Sequence, residues 1–207
     1  MSAVLTEVLA VDAASPDAKA LERAAAVLRD GGLVAFPTET FYGLGADARD
    51  AAAVHRVFSV KRRDGGKPLL VLVDSVAMAE RVAEVTPRAR ELMARHWPGA
   101  LTLVLRARAG LPTELMAGAG TIGVRLSPHP VARGLVGALG SPLTAPSANL
   151  EGAPPPMTAA AVLAVFDGAI DLVLEGGPTA GGPPSTVVDV TTETPRVLRQ
   201  GALALCV

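Results

Sequence analysis

Short apolar runs alternate with amphipathic helical patterns along this chain, and this alternation limits the folds that it can adopt. Leu33–Phe36 and Pro68–Val73 are apolar throughout, which predicts buried strands. Strands of that kind occur mainly in sheets that helices cover on both sides. Several expected strands follow one another between residues 171 and 199, which favours a mixed sheet over a purely parallel one. We therefore expect an α/β fold in which helices flank a mixed sheet.

Capping residues mark the expected helix starts. Ser15-Pro16-Asp17 combines a capping residue, a proline suited to the first helical position and an acid that favours the positive end of the helix dipole. We expect Ser15 to cap this helix and Gly31-Gly32 to end it. Further helices are predicted to begin at Asp50, Ser75, Thr86 and Thr158.

The bulk composition narrows the class of protein. The chain has 207 residues, half of them apolar, so we expect one domain over residues 1–207. Its formal net charge is -1, so it lacks the overall positive charge that would indicate binding to nucleic acid. Residues 1–7 lack the basic and apolar regions of a signal peptide, and no apolar run approaches the roughly 18–20 residues of a membrane span. We expect a cytoplasmic protein with no membrane partner. The single cysteine, Cys206, excludes a disulfide framework and a cysteine-rich zinc site, and the three histidines lack metal-ligand spacing.

A polar stretch, Pro37–Gly45, lies between a predicted strand and a predicted helix, where α/β proteins usually bind ligands. The side chains of Thr38, Glu39, Thr40 and Tyr42 could bind a small polar ligand. Equally, the two threonines could form a local turn by bonding nearby backbone groups. The residues alone leave both interpretations open.

The next candidate is the basic segment Lys61–Lys67, which its glycines predict to be a loop. Lys61, Arg63 and Lys67 would suit phosphate oxygens, since lysine supplies a point charge and arginine a bidentate fork. A solvated basic turn is the alternative, and for an isolated run of charges it is the commoner case.

Polar residues also follow or end later strands. Ala145-Pro146-Ser147-Ala148-Asn149 comes after a short apolar run, and Ser185 stands at the start of another. Either could meet a ligand, or Ser147 and Asn149 could form a cap or an Asx turn. Arg125 and Arg199 end predicted strands and could clamp a carboxylate or form surface ion pairs. Gly118–Gly123 matches G-x-G-x-x-G, but an extended segment follows it instead of a helix, so we reject a dinucleotide site.

Taken together, these blocks resemble the YrdC/TsaC family of threonylcarbamoyl-AMP synthases. They are, in order, Pro37–Leu44, Lys61-x-Arg63, Lys67–Leu69, Thr121–Arg125, Ala145–Asn149, and Ser185–Asp189 followed by Arg196–Gly201. The resemblance implies a twisted mixed sheet with a concave, basic ligand-binding face. It also implies that L-threonine, bicarbonate and ATP give threonylcarbamoyl-AMP and pyrophosphate, and that partner proteins move the threonylcarbamoyl group to an adenosine of certain tRNAs. Any direct contact with tRNA is expected to be weak.

The resemblance also assigns the site residues. L-threonine contacts are implied for Thr38, Arg125, Ala145 and Ser185. ATP contacts are implied for Lys61, Thr121, Ser147 and Arg199, with Arg63 and Asn149 close by. Lys67 joins them as the third cation of the basic segment. We expect Lys61 and Arg63 to serve catalysis by neutralising phosphate charge, with Mg²⁺ carried on ATP and no dedicated metal site.

The chain departs from the family pattern at three positions. Asp64 stands where the family often has proline, Leu72 where many members have histidine, and Pro155 where a second hydroxyl is usual. The chain ends near the end of the synthase domain, which suggests the short form of the family. Two alternatives remain: an RNA-binding module that uses the basic face, and a carbamoyl-adenylate-forming maturation module. Few aromatic residues are available for base stacking, which argues against the first.

Overall fold

Two mixed β-sheets form the framework of the protein, which a computed structural model describes for residues 5–205. The predictions for Cys206 and the first four residues lie outside this range. The strands are β1 (Glu7–Ala10), β2 (Val34–Pro37), β3 (Tyr42–Gly45), β4 (Leu70–Leu72), β5 (Leu101–Arg106), β6 (Thr121–Arg125), β7 (Leu143–Thr144), β8 (Leu172–Glu175), β9 (Thr186–Asp189) and β10 (Arg196–Arg199). The helices are α1 (Ala18–Arg29), α2 (Ala51–Lys61), α3 (Val76–Val82), α4 (Pro87–His96), α5 (Thr113–Met116), α6 (Pro130–Leu139) and α7 (Ala159–Phe166).

Both sheets combine parallel and antiparallel pairs, as the sequence predicts. The first has the strand order β1-β8-β2-β3, and the second has the order β10-β9-β5-β6-β4-β7. In the second sheet β4 runs parallel to β6 and β5 parallel to β9, while β5 and β6 are antiparallel. The predicted mixed α/β architecture is confirmed, although it divides into two sheets instead of one.

Helix caps follow the sequence at four of the five predicted starts. The side chains of Asp50, Ser75, Thr86 and Thr158 each accept a hydrogen bond from the first turn of a helix. The prediction for Ser15 is wrong. Asp17 caps α1 instead, accepting from the backbone N–H of Lys19 at 2.7 Å, because Asp12 holds the N–H of Ser15 in a preceding turn at 3.0 Å.

The stretch predicted as one polar turn contains a strand. Residues 38–41 form a hairpin loop, and β3 then pairs antiparallel with β2. Glycines at positions 43 and 45 hide the strand in the sequence, since glycine is depleted in strands. Gly45 is needed because a Cβ there would lie 2.9 Å from Cδ1 of Leu143 and 3.0 Å from Cε1 of Phe36. The close approach lets β3 lie against Leu143 of β7 in the second sheet, and Leu44 donates to the carbonyl oxygen of Pro146 at 2.8 Å.

Most of the apolar side chains in the strands are buried in one cluster with the inner faces of the helices. Tyr42, Phe36 and Phe166 are the largest of its fully buried side chains. None of the helices within residues 5–205 has both the length and the apolar character needed to cross a bilayer.

Candidate functional site

One face of the six-stranded sheet forms the floor of a cleft of about 790 Å³. Strand register places Leu72, Arg125, Thr102 and Val187 in one row across β4, β6, β5 and β9, and Arg199 of β10 pairs with Val187 at the end of that row. Since side chains alternate between the two faces of a strand, residues in register share a face. All five line the cleft.

The cleft brings together the candidates named from the sequence except Glu39, which contacts one of the lining residues, Arg125. Its volume falls in the range of about 300–1,000 Å³ that is usual for small-molecule sites. The candidates that line it are Thr38, Lys61, Arg63, Lys67, Thr121, Arg125, Ala145, Ser147, Asn149, Ser185 and Arg199. Most of the polar side chains that line the cleft form two groups. We call Lys61, Arg63, Lys67, Ser147 and Asn149 the lysine cluster, and Thr102, Arg125, Ser185 and Arg199 the arginine cluster.

Lys61 anchors the lysine cluster from the last turn of α2, so it belongs to a helix and not to the loop that the sequence predicts. Its side chain is buried, and Nζ donates to the carbonyl oxygens of Ser147 and Asn149, both at 2.5 Å. Burial, with a smaller effect of Arg63, lowers the pKa of Lys61 to about 8. An ammonium has three donors, so one N–H remains for a ligand.

Ser147 and Asn149 shape the loop that Lys61 holds. The Ser147 hydroxyl donates to Oδ1 of Asn149 at 2.5 Å, and Nδ2 of Asn149 donates to the carbonyl oxygens of Leu150 and Ala153 at 2.8 and 2.7 Å. These contacts form a local turn, which was one of the two interpretations of Ser147 and Asn149 that the sequence allowed. The same segment also lines the cleft. A ligand would meet a loop that is already ordered.

The rest of the basic segment folds around Glu151, which sequence reasoning missed. Glu151 pairs with Nζ of Lys67 and accepts from the backbone N–H of Asp64 at 3.0 Å. Arg63 donates to the carbonyl oxygen of Pro68 at 3.0 Å, and burial lowers its pKa. The one sign of this contact in the sequence is that Glu151, a carboxylate, stands two residues after Asn149. The segment is therefore ordered by its own contacts, and Glu151 supplies a negative charge among its cations.

The three departures from the family pattern all fall at the cleft or beside it. Asp64 supplies to Glu151 a backbone N–H that proline would lack. Leu72 is buried in the floor, next to Arg125 in register. Pro155 lines the cleft with no hydroxyl to offer.

The arginine cluster centres on Ser185 at the start of β9. Nη2 of Arg199 donates to the Ser185 carbonyl oxygen at 2.9 Å, and the hydroxyls of Ser185 and Thr102 lie 2.8 Å apart. Burial, with a smaller contribution from the positive charge of Arg125, lowers the pKa of Arg199. Two guanidinium groups at one end of the cleft would attract an anion.

Glu39 holds Arg125 from the hairpin loop between β2 and β3. Oε1 of Glu39 accepts from Nη2 of Arg125, and Oε2 accepts from the Ser127 hydroxyl at 2.7 Å. Nε of Arg125 donates to the carbonyl oxygen of Gly99 at 3.0 Å. The sequence singled out both Glu39 and Arg125, but it contained no signal that they pair, since 86 positions separate them.

The other candidates from the sequence also lie at the cleft. The Thr38 hydroxyl donates to the carbonyl oxygen of Phe41 at 2.6 Å, which forms the turn foreseen as an alternative. Tyr42 is buried in the core and donates to the carbonyl oxygen of Gly177 at 2.8 Å. Thr121 begins β6, and Ala145 follows β7 with its N–H bonded to the carbonyl oxygen of Leu70. Thr121 and Arg125 are four positions apart on β6, which corresponds to about 13 Å along the floor.

Known proteins match this chain over most of its length. The Sua5/YciO/YrdC family model, described as "Telomere recombination", matches residues 26–201. The "Threonylcarbamoyl-AMP synthase" of Pyrococcus abyssi is 43% identical over 183 residues, which cover 88% of this chain and 54% of that protein. A "Putative threonylcarbamoyl-AMP synthase" of Mycobacterium tuberculosis is 38% identical, covering 93% of this chain and 90% of that protein.

A solved structure has the same fold. The crystal structure of P. abyssi Sua5 complexed with L-threonine superposes with a TM-score of 0.91 at 40% identity, covering 96% of this chain and 58% of that one. The chain therefore spans little more than half the length of the archaeal protein that it resembles in both sequence and structure.

Proposed function

Because the chain belongs to the Sua5/YciO/YrdC family, we propose that it is an L-threonylcarbamoyladenylate synthase, which forms threonylcarbamoyl-AMP and pyrophosphate from L-threonine, bicarbonate and ATP. The names of its relatives and the L-threonine bound to P. abyssi Sua5 support this proposal.

The observation that carries the proposal is the placement of two cationic clusters in one cleft. The lysine cluster offers two lysines and an arginine around an ordered loop, which suits the triphosphate of ATP. The arginine cluster offers a guanidinium beside hydroxyls, which suits an amino acid carboxylate. Arg199 contacts Ser185, so the residue assigned to ATP adjoins residues assigned to L-threonine. This proximity suits a reaction in which the amino acid derivative attacks the α-phosphate.

The chemistry requires no covalent intermediate on the protein. The threonine amine adds to the carbon of bicarbonate or carbon dioxide, and a carbamate forms with loss of water or a proton. A carbamate oxygen then attacks the α-phosphorus, and the bond from that phosphorus to the bridging oxygen breaks to release pyrophosphate. Lys61 and Arg63 would offset the charge on the phosphates, and the rigid loop of Ser147 and Asn149 would orient them.

We propose that Mg²⁺ enters this site as a companion of ATP. Residues 5–205 contain no group of three or more histidine, cysteine or acidic side chains that could hold a metal ion. Among residues 5–205, Glu151 is the one carboxylate residue that lines the cleft, and phosphate oxygens with water would supply the other hard ligands that Mg²⁺ prefers. When bound, the ion would neutralise phosphate charge.

The product is a reactive mixed anhydride, so we propose that separate threonylcarbamoyl-transferase proteins accept it and carry the group to tRNA adenosine. The proposed place of action is the cytoplasm, where L-threonine and ATP are available together. Direct contact with tRNA would be weak, and a salt-sensitive affinity for RNA without synthesis would favour the alternative of an RNA-binding module.

One assay tests the proposal directly. Purified protein is incubated with ATP, Mg²⁺, bicarbonate and radiolabelled L-threonine, and threonylcarbamoyl-AMP and pyrophosphate are both measured. We expect equal amounts of the two products, and neither when threonine or bicarbonate is omitted. Pyrophosphate release that does not depend on threonine would refute the proposal.

A further inference from the structure

We propose that Glu39 is a positioning residue of the amino-acid subsite, which fixes the guanidinium of Arg125 so that its free edge faces the substrate carboxylate. This inference rests on the proposed function, because that function makes the carboxylate of L-threonine the ligand of Arg125. Neither the family resemblance nor the comparisons assign a role to Glu39.

The contacts of Arg125 leave its guanidinium little freedom. Nε donates to the carbonyl oxygen of Gly99, and Nη2 donates to Glu39. A planar group held at two of its three nitrogens has a fixed plane and a fixed direction. Within residues 5–205, Nη1 has no protein partner, and the side chain is only 9% exposed. The nitrogen left for a ligand belongs to a residue that lines the cleft.

Glu39 is itself held by a second chain of contacts. Its Oε2 accepts from the Ser127 hydroxyl at 2.7 Å, and the Ser127 oxygen accepts from the backbone N–H of His129 at 3.1 Å. His129 immediately precedes α6. The carboxylate is thus fixed between the hairpin loop of the first sheet and the segment between β6 and α6, so it provides a rigid support for Arg125.

The carboxylate of Glu39 could instead compete with the substrate carboxylate for the guanidinium of Arg125. A glutamate that merely occupied Arg125 would have to be displaced by threonine, and its removal would strengthen threonine binding. The geometry favours a positioning role over competition, because Glu39 bonds Nη2 of Arg125 and leaves Nη1 available to the substrate. Ser127 also holds Glu39 in place independently of Arg125. The two roles predict opposite signs for the change in KM.

Steady-state pyrophosphate release in Glu39→Ala and Glu39→Gln distinguishes these roles. In Glu39→Ala we expect the KM for L-threonine to rise by about tenfold or more, as a lost charged hydrogen bond implies, while the KM for ATP changes less than about twofold. Glu39→Gln keeps the side-chain length and one carbonyl acceptor, so its KM for threonine should lie between those of the alanine variant and the wild type. Glu7→Gln is the matched control, because Glu7 also pairs with an arginine but on the surface, with Arg23. An unchanged or lowered KM for threonine in Glu39→Ala overturns the proposal.

A second measurement does not depend on turnover. Nitrogen-15 NMR of arginine Nε–H groups, assigned by the signal that disappears in Arg125→Lys, should show slow hydrogen exchange for Arg125 in the wild type and in Glu7→Gln. We expect faster exchange in Glu39→Ala, and an unchanged rate contradicts the positioning role. If the wild type releases no pyrophosphate with L-threonine, the proposed function fails, and the exchange rate alone still decides whether Glu39 orients Arg125.

Discussion

Nζ of Lys61 lies 2.5 Å from the carbonyl oxygen of Asn149, so the last turn of α2 is tied to a loop 88 positions further along the chain. The same nitrogen donates to Ser147. One side chain therefore both shapes the wall of the cleft and offers its remaining N–H to a ligand.

Replacing Lys61 by methionine should reduce turnover strongly while the fold survives. Methionine keeps the buried apolar stem but removes the donor that orders the Ser147–Asn149 loop and the charge that faces phosphate. We expect kcat/KM for ATP to fall by roughly 100-fold or more, the size of effect found when a positioned electrostatic group is lost. Pyrophosphate release measures it, and circular dichroism checks the fold. Turnover close to that of the wild type would show that the phosphate assignment of Lys61 is wrong.

Binding of ATP should weaken as the pH rises above 8. Burial holds the pKa of Lys61 at about 8, so free protein below that pH already carries the proton that phosphate requires. Above pH 8 the free amine is neutral, and ATP must draw a proton from solvent, which costs up to about tenfold in affinity per pH unit. Calorimetry at pH 9 in two buffers of different ionisation enthalpy should show proton uptake, whereas the same experiment at pH 7 should show little.

Glu151→Gln provides a matched test of this pH dependence. The negative charge of Glu151 raises the pKa of Lys61 against the lowering caused by burial. Without that charge the pKa should fall further, so the loss of ATP affinity should begin at a lower pH than in the wild type. A curve displaced toward higher pH would mean that Glu151 acts on Lys61 in some other way.

Lys67→Ala should affect ATP binding more than stability. Lys67 pairs with Glu151 through a side chain that is 58% exposed, and ion pairs in such positions add little to stability. We expect an unchanged melting temperature but a raised KM for ATP. The difference in KM between the variant and the wild type should be smaller at high salt, because exposed charges are screened. Lys19→Ala, an exposed lysine of α1 away from the cleft, is the control and should leave both quantities unchanged.

The sequence predicts the elements whose signals are local. Asp50 and Thr158 cap helices where expected, since a cap is decided by a few neighbouring residues. Two contacts could not be predicted, because each joins segments far apart in sequence. They are the pairing of Glu39 with Arg125 and the hydrogen bonds of Lys61 to the loop after β7. Strand β3 could not be predicted either, because its glycines, which allow close approach to Phe36, are typical of turns.

Gly201 provides a test of the C-terminal wall of the cleft. A Cβ there would lie 2.1 Å from the carbonyl oxygen of Pro184 and 2.5 Å from the carbonyl carbon of Ser185, both backbone atoms that cannot rotate away. Gly201→Ala should therefore push the segment after β10 away from Ser185 and destabilise the protein by roughly 1–3 kcal/mol, as overpacking does. Because Arg199 bonds the Ser185 carbonyl oxygen, threonine-dependent pyrophosphate release should fall as well.

The control for this variant is Gly137→Ala, the same substitution at an open position. Gly137 lies in α6, where a Cβ would meet nothing within 4 Å. There the added methyl should stabilise the protein by about 0.5–1 kcal/mol, since alanine favours a helix over glycine, and activity should stay at the wild-type level. Urea unfolding of both variants gives the two free energies. Equal changes of the same sign in the free energy of unfolding would contradict the close packing of Gly201 against Pro184, because that packing is the reason why we expect the two variants to differ.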